Sequence, residues 1–407
     1  MANVRPFAAI RPKPSLAAKI CELPYDVMSS DEAAATASGN PLSFLRVSKA
    51  EIELPPGTGI YDPVVYSTAA RNFQRLLDQG ALLRDAAPAF YLYRQIMGNH
   101  SQIGIVGLAD CQEYLDGIVK KHEFTRPDKE DDRVRHIEAL PAQTGPAFLV
   151  YRAQEDIDTR VAQIVQNVPE IDFTAPDGVQ HSAWVVSSQE DIERFKQCFT
   201  RLPSLYIADG HHRTAAAGRV FKSLKGANGS DGFLAVIFPH NQTRILPYHR
   251  VVKDLHGLTQ SEFLARLEQV LDPAPNLDHQ SSAPRHVSIY LPDGWRCYRF
   301  KPALIPESDP VRALDVSLLQ ELVLAAILDI QDPRRSHRIS FVGGIRGTPE
   351  LERCVKEGGY AVAFAMHPTG IEELLRIADG GGIMPPKSTW FEPKLRDGMF
   401  SHSLALA

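Results

Sequence analysis

The sequence predicts an α+β protein of three consecutive segments, organised around one strand-turn-helix stretch. Three observations lead there. The chain has 407 residues, enough for two or three domains with a sizeable core. Short extended runs bounded by proline or glycine alternate with stretches of helical period. At the middle, Leu205-Tyr206-Ile207-Ala208 gives way to Asp209-Gly210 and then to an alanine-rich run ending near Phe221. The expected layout is an N-terminal α/β extension over 1–88, a central domain over 89–254 and a C-terminal α/β domain over 255–407.

Composition excludes several classes. Hydrophobic residues make 44% and charged residues 23% of the chain, and the net charge is −5. That balance gives no general affinity for nucleic acid or membrane. The five cysteines (21, 111, 198, 297 and 354) are scattered without a C-x-x-C pair, which fits a reduced cytoplasm. The start has no signal-peptide pattern, and no apolar run approaches a membrane span.

In the first segment, Phe7 to Pro12 and Glu22 to Val27 read as short and extended. Asp31 to Ala37 reads as a helix ended by Gly39-Asn40-Pro41, and Phe44 to Val47 as a strand. Val64 to Gln79 is a helix with Phe73, Leu76 and Leu77 inward and Gly80 as its cap. Phe90 to Gln95 and Ile103 to Leu108 form a hairpin across Gly98-Asn99. Residues 128–135 read as a solvated, salt-bridged helix started by Pro127. Ala147 to Tyr151 is a strand, and Asp177-Gly178 tips a hairpin. Ser187 to Glu190 is a capping box. Phe233 to Phe238 and Thr243 to Val252 are strands, with His240 and His249 as surface or packing residues.

Beyond residue 255, Asp272-Pro273-Ala274-Pro275 and Ser281-Ser282-Ala283-Pro284 read as loops. Val316 to Ile330 is an apolar helix, Ile339 to Val342 a strand, and Tyr360 to Met366 a central strand. The helix after Thr369-Gly370 carries Ile371, Leu374, Leu375 and Ala378 on one face.

Three stretches carry chemistry. Asp209-Gly210-His211-His212-Arg213 places a glycine turn and two kinds of base at the positive start of a helix, a place suited to phosphate. The competing reading is an Asp N-cap before an ordinary helix. Adjacent histidines diverge too far to share one metal. Lys121-His122-Glu123 lies in extended chain, which makes Glu123 a candidate placed carboxylate. Lys387-Ser388-Thr389, stiffened by Pro385-Pro386, suits a phosphate or carboxylate, or else a packed tail. Tyr25-Asp26 reads as a turn contact that packs the first segment.

These three stretches, in this order, resemble the DUF1015 family, a bacterial family of unknown function; Pro24 to Val27 and Lys129 to Arg133 share the likeness. That family in turn resembles, more distantly, free-serine kinases with a ParB/sulfiredoxin-like nucleotide-binding domain. Those kinases carry His-Glu, Asp-Gly-His-His-Arg and Pro-Lys-Thr-Thr in order. This chain has Ser388 in place of one threonine and a longer span between Glu123 and Asp209. The resemblance implies a ParB/sulfiredoxin-like central domain, with Glu123 as catalytic base and Asp209, Gly210, His211, His212 and Arg213 as the nucleotide-binding turn.

The expected activity is phosphoryl transfer from ATP or ADP to the hydroxyl of a small metabolite such as free serine. Such transfer needs positioning and charge neutralisation more than covalent help. Glu123 and His212 are the catalytic candidates, and Lys387, Ser388 and Thr389 the substrate-binding ones. Asp209 is the candidate ligand for Mg²⁺. No Walker A or kinase Gly-rich loop is present. The alternative is a ParB-like nucleotide-binding or DNA-binding regulator without kinase activity, against which the acidic balance and the lack of a basic reading helix weigh.

Overall fold

The computed structural model describes residues 1–279 and 283–404, which form two compact units. The first takes 1–121, 125–243 and the closing segment from 393; the second takes 122–124 and 244–392. The expected boundaries at 88 and 254 are therefore corrected. Residues 1–88 do not stand apart, because Val4 and Arg5 pair with Ala109 and Leu108 inside the main sheet. The closing segment leaves the C-terminal domain and is completed by backbone bonds to Ile10 and Glu22.

The first unit is built on a nine-stranded mixed sheet. Its strands are β1 (Val4–Arg5), β2 (Phe90–Met97), β3 (His100–Asp110), β4 (Val119–Lys120), β5 (Ala147–Tyr151), β6 (Ile171–Thr174), β7 (Gln180–Val186), β8 (Leu205–Asp209) and β9 (Gly232–Pro239). The order is β4-β8-β5-β9-β3-β2-β7-β6, with β1 on β3. Only β4–β8 and β5–β9 are parallel. The central strands β5 and β9 are buried along their whole length, as their near-continuous apolar runs require. The hairpins at Gly98-Asn99 and Asp177-Gly178 form as expected.

Four helices of this unit matter here: α1 (Pro63–Asp78), α2 (Pro127–Ala139), α3 (Gln189–Thr200) and α4 (His211–Leu224). Helix α3 buries Ile192, Phe195 and Phe199 in the sheet's core, and Ser188 caps it by accepting from the Asp191 N–H. Helix α2 packs Ile137 and Val134 against Ala216 and Val220 of α4. It is not the solvated helix expected. Asp132 and His136 are buried, and Arg133 lies over the Tyr25 ring at 3.8 Å. Periodicity hid this because the inward face of α2 is itself charged.

The expected strand Phe44–Val47 is also corrected: Leu45–Ser48 is helical. Phe44 and Val47, three apart, share one helical face, where Phe44 meets Phe73 of α1 edge-on at 6.3 Å.

The second unit holds a six-stranded antiparallel sheet: β10 (Tyr248–Val252), β11 (Leu271–Pro273), β12 (His286–Leu291), β13 (Gly294–Phe300), β14 (Ile339–Gly343) and β15 (Val362–Met366). Its order is β11-β13-β12-β15-β10-β14, so β15 is central as expected. Helices α5 (Gly347–Lys356) and α6 (Ile371–Asp379) belong to it. The expected strand 243–252 breaks at Pro247, which has no N–H for a ladder; Arg244–Leu246 pairs instead with Trp390–Glu392. Asp272-Pro273 is strand rather than loop, and positions 281–282 of the other expected loop lie outside the described residues. The helix expected over 316–330 is regular only over Asp315–Leu319 and widens over Gln320–Ala325. Among the described residues, no helix is long and apolar enough to cross a membrane.

The closing segment fixes a glycine. Gly398 has φ +80°, and a Cβ there would lie 2.7 Å from the Phe44 ring. Gly398→Ala combines a left-handed backbone with overpacking and should cost roughly 2–4 kcal/mol. Urea unfolding measures it; a loss under about 1 kcal/mol would mean the segment is loosely held.

Candidate functional site

Strand β8 runs apolar and buried to Ala208 and ends at Asp209, after a register shift against β5. Gly210 follows at φ +90° and caps α4. A Cβ on Gly210 would sit 3.1 Å from Arg213 Nε and 3.3 Å from Ala147 Cα, so space and backbone both require glycine. The first N–H groups of α4 have no acceptor within the helix and point out of its start.

Asp209 is fully engaged. Its Oδ1 accepts from the Gly210 N–H at 2.7 Å, and its Oδ2 pairs with Lys394 Nζ at 2.8 Å. Burial pushes this carboxyl's pKa up, but Lys394 and Arg213 outweigh burial and hold it well below the usual range. The charge is thus present and already matched. This does not fit the expected Mg²⁺ ligand, since a dication would have to displace or approach the ammonium on Oδ2.

Arg213 turns inward. Its Nη1 donates to Pro146 O, and its Nη2 lies 3.9 Å from both Asp26 and Asp209. Beneath it, Tyr25, Arg133, Thr144, Gly145 and Asp397 help line a cavity of about 30 Å³, room for a single water. Asp397 is 2% exposed, and its Oδ1 has no hydrogen-bond partner. Burial raises its pKa to about 7, against the pull of Arg213. Its neighbour Arg396 bonds Asp177 and His181 Nε2. His212 Nε2 accepts from the Arg126 N–H at 3.0 Å, which leaves the neutral ring's proton on Nδ1.

In the second unit, residues 122–124 join the segment that carries Lys387. The Met384 N–H donates to His122 O at 2.8 Å. Glu123 is half-buried and non-helical, but it sits at a bend rather than in the extended chain expected. Lys387 is exposed at φ +59°, a strained conformation for lysine. The loop is clamped: Arg250 Nη2 donates to Lys387 O at 3.1 Å, and Lys387 Nζ lies 5.4 Å from the Tyr248 ring centroid. Ser388 is buried and donates to Pro385 O at 2.6 Å, while Thr369 Oγ1 donates to Ser388 O. The Ser388 hydroxyl thus shapes the loop.

The structure gathers Asp209 to Arg213 into one turn of the first unit, and Glu123 with Lys387 to Thr389 into the second. Sequence reasoning missed Lys394, Asp397 and Arg133, and the place of Asp26 beside Arg213. One signal was present. Lys394, Arg396 and Asp397 stand among Phe391, Leu395, Met399 and Phe400, and charges held between apolar residues are buried only when paired.

The folded pKa of Asp397 exceeds its ordinary 3.8, so its contribution to stability is full below pH 3.8 and is lost as pH rises through about 7. Asp397→Asn removes the titration. The variant should therefore gain on the parent by roughly 1.4 kcal/mol per pH unit between about pH 4 and 7, then level off. Urea titrations at several pH values check this, and parallel stability curves would contradict it.

No curated protein matches the chain. Several solved structures resemble it. SbnI with a C-terminal truncation, from Staphylococcus aureus, is 14% identical, covers 72% of this chain and 85% of its own, with TM-score 0.39. A conserved hypothetical protein from Pyrococcus furiosus is 13% identical over 73% and 94%, with TM-score 0.37. A free serine kinase in complex with AMP is 12% identical over 70% and 86%, with TM-score 0.37. The profile of one family, "Protein of unknown function (DUF1015)", matches residues 4–317, and the chain belongs to that family.

Proposed function

We propose that the protein is a nucleotide-dependent phosphotransferase acting on the hydroxyl of a small metabolite such as free serine. The observation that carries the reading is the Asp209–Arg213 turn. A glycine-capped helix start aims backbone N–H groups outward, while Lys394 and Arg213 offset the Asp209 carboxylate that would repel a phosphate. A ParB/sulfiredoxin-like character of the first unit goes with this reading.

The start of α4, at His211 and His212, then holds the terminal phosphate of ATP or ADP. Arg213 acts from beneath, by its field rather than by contact. Mg²⁺, where it accompanies the nucleotide, is carried by the phosphates and not by Asp209. Lys387, presented on its clamped loop with Thr389, holds the acceptor's carboxylate; Ser388 keeps the loop's shape. The acceptor oxygen attacks phosphorus, its proton passes to Glu123, and the oxygen–phosphorus bond to the leaving nucleotide breaks. ATP yields ADP, and ADP yields AMP. Electrostatic positioning supplies most of the acceleration and the base the rest.

Phosphorus-31 NMR of the protein with Mg²⁺, ATP or ADP and a panel of hydroxy amino acids tests the reading. A new phosphomonoester resonance is expected; nucleotide binding without turnover on any acceptor would overturn it. Glu123→Gln keeps shape but loses basicity, so kcat should fall about 10²–10⁴-fold with nucleotide affinity unchanged by calorimetry. Near-normal kcat would remove Glu123 as base. Lys387→Ala should raise the acceptor's KM about tenfold or more, the scale of one hydrogen bond to a charged group, and spare nucleotide affinity. Weaker nucleotide binding instead would move this loop to the donor side.

A further inference from the structure

The second unit contains a cavity of about 460 Å³ that the proposed chemistry does not use, a volume in the range of small-metabolite sites. Its lining includes His249, His279, His286, His367, Ser288 and Thr348, and no carboxylate. Helix α5 begins at its wall, with Gly347, Thr348 and Pro349 facing it.

His249 is the informative residue. It sits on β10, where its ladder partner across β14 is Val342. Side chains alternate along a strand, so His249 faces away from Tyr248 and Arg250, the two residues that clamp the Lys387 loop. The cavity therefore lies on the other face of that strand. His249 is 4% exposed. Its Nδ1 accepts from the Met366 N–H at 3.1 Å, which extends the β10–β15 pairing by one bond beyond Arg250↔Phe364. The proton of the neutral ring is therefore on Nε2. Burial, helped by Arg250, lowers the pKa to about 4, so the ring stays neutral at physiological pH. Nε2–H has no hydrogen-bond partner among the described residues, and the ring lines the cavity.

Nε2–H opens into the cavity rather than onto a protein acceptor, so its partner must come from what the cavity holds. A metal does not fill the role. A protonated Nε2 offers it no lone pair, and the four imidazoles form no metal-ligating group among the described residues. An anion does. It would accept from Nε2–H of His249 and from the Thr348 N–H at the start of α5, where the helix end favours negative charge; the Gly347 N–H is taken by Gly344 O, and Pro349 has none. His286 shares the lining, its Nδ1 donating to Pro284 O at 2.8 Å.

We infer that this cavity binds a small anionic metabolite, carrying a carboxylate or a phosphate, on Nε2–H of His249 and the N-terminus of α5. It is a second ligand site, independent of the phosphate turn and of the acceptor loop.

Nitrogen-15 NMR of the imidazoles in the full chain, at pH 7, tests the site with inorganic phosphate in one arm and succinate in the other. A saturable shift of the His249 Nε2–H signal in either arm is expected, and the responding arm identifies the headgroup. No saturable shift in either overturns the inference. His249→Gln should weaken the response of the remaining cavity histidines about tenfold. Thr348→Glu guards against a fold defect. An acid at a helix start suits the helix but repels the anion, so binding should be lost with thermal stability kept. Undiminished binding in Thr348→Glu would equally overturn the assignment. Glu123→Gln, which disables the proposed transfer, should leave both NMR arms unchanged, so this site and the kinase reading fail separately.

Discussion

The ion pair between Asp209 and Lys394 is what the first unit's chemistry depends on. It joins the last residue of β8, the first turn of α4 and the closing segment of the chain at 2.8 Å. Removing one partner from a buried pair costs about 3–5 kcal/mol, because the other charge is left uncompensated. Lys394 is the deeper of the two, with its side chain 9% exposed. Its pairing also sets the sign of the turn. A lone Asp209 would place negative charge where the helix start would otherwise attract a phosphate; paired, it leaves the N–H groups of α4 as the dominant field.

The same economy runs through the layer below. Arg213 touches Asp26, Asp209 and Pro146 O, and Arg133 stacks on Tyr25 and pairs with Asp132 at 2.6 Å. Asp397 lies among them and is held near neutrality, its pKa raised to about 7 by burial. Two arginines against several acids would over-charge a small buried volume if every carboxyl ionised. Keeping one carboxyl protonated over much of the pH range is the cheaper solution. The second unit meets a different demand. Its Lys387 loop carries a strained backbone and is fixed from three sides, by Arg250, Thr369 and the Ser388–Pro385 bond. Strain of that kind persists only where the surroundings over-determine it.

Much of this was legible in the sequence where one local signal dominated. The β8–Gly210–α4 turn was visible because an apolar run, an Asp-Gly pair and an alanine run each signal alone and agree. The hairpin at Gly98-Asn99 and the central strand at Val362–Met366 were visible for like reasons. What stayed hidden was tertiary. The inward face of α2 carries Asp132, Arg133 and His136, which by pattern alone belong on a solvated surface. Residues 122–124 join the second unit although both flanks belong to the first, and no local rule encodes that. Arg213 stands at the helix start as the motif suggests, yet its side chain is spent on Pro146 and the acids below. Pattern locates a backbone position; it does not say which way a long side chain turns.

The closing segment explains why the turn could not be completed from its own neighbourhood. The chain leaves the first unit at residue 243 and re-enters it at 393, and Lys394 reaches Asp209 across a separation of 185 residues. Closing a flexible loop of that length costs roughly 5 kcal/mol in chain entropy. A buried ion pair nets little after desolvation, so the pair alone cannot hold the segment. The remainder comes from a row of contacts placed along it. Gln95 Nε2 donates to Lys394 O, the backbones of Asp397 and Glu22 exchange two bonds, Ser401 and Ile10 exchange two more, and His402 pairs with Gln143. Arg244 and Glu392, at the two ends of the second unit, pair on adjacent strands, so the ordered insertion spans little of that distance. Lys394 is thus held at Asp209 by the contacts of its whole segment, and the ion pair balances the charge of the turn without having to fix the chain.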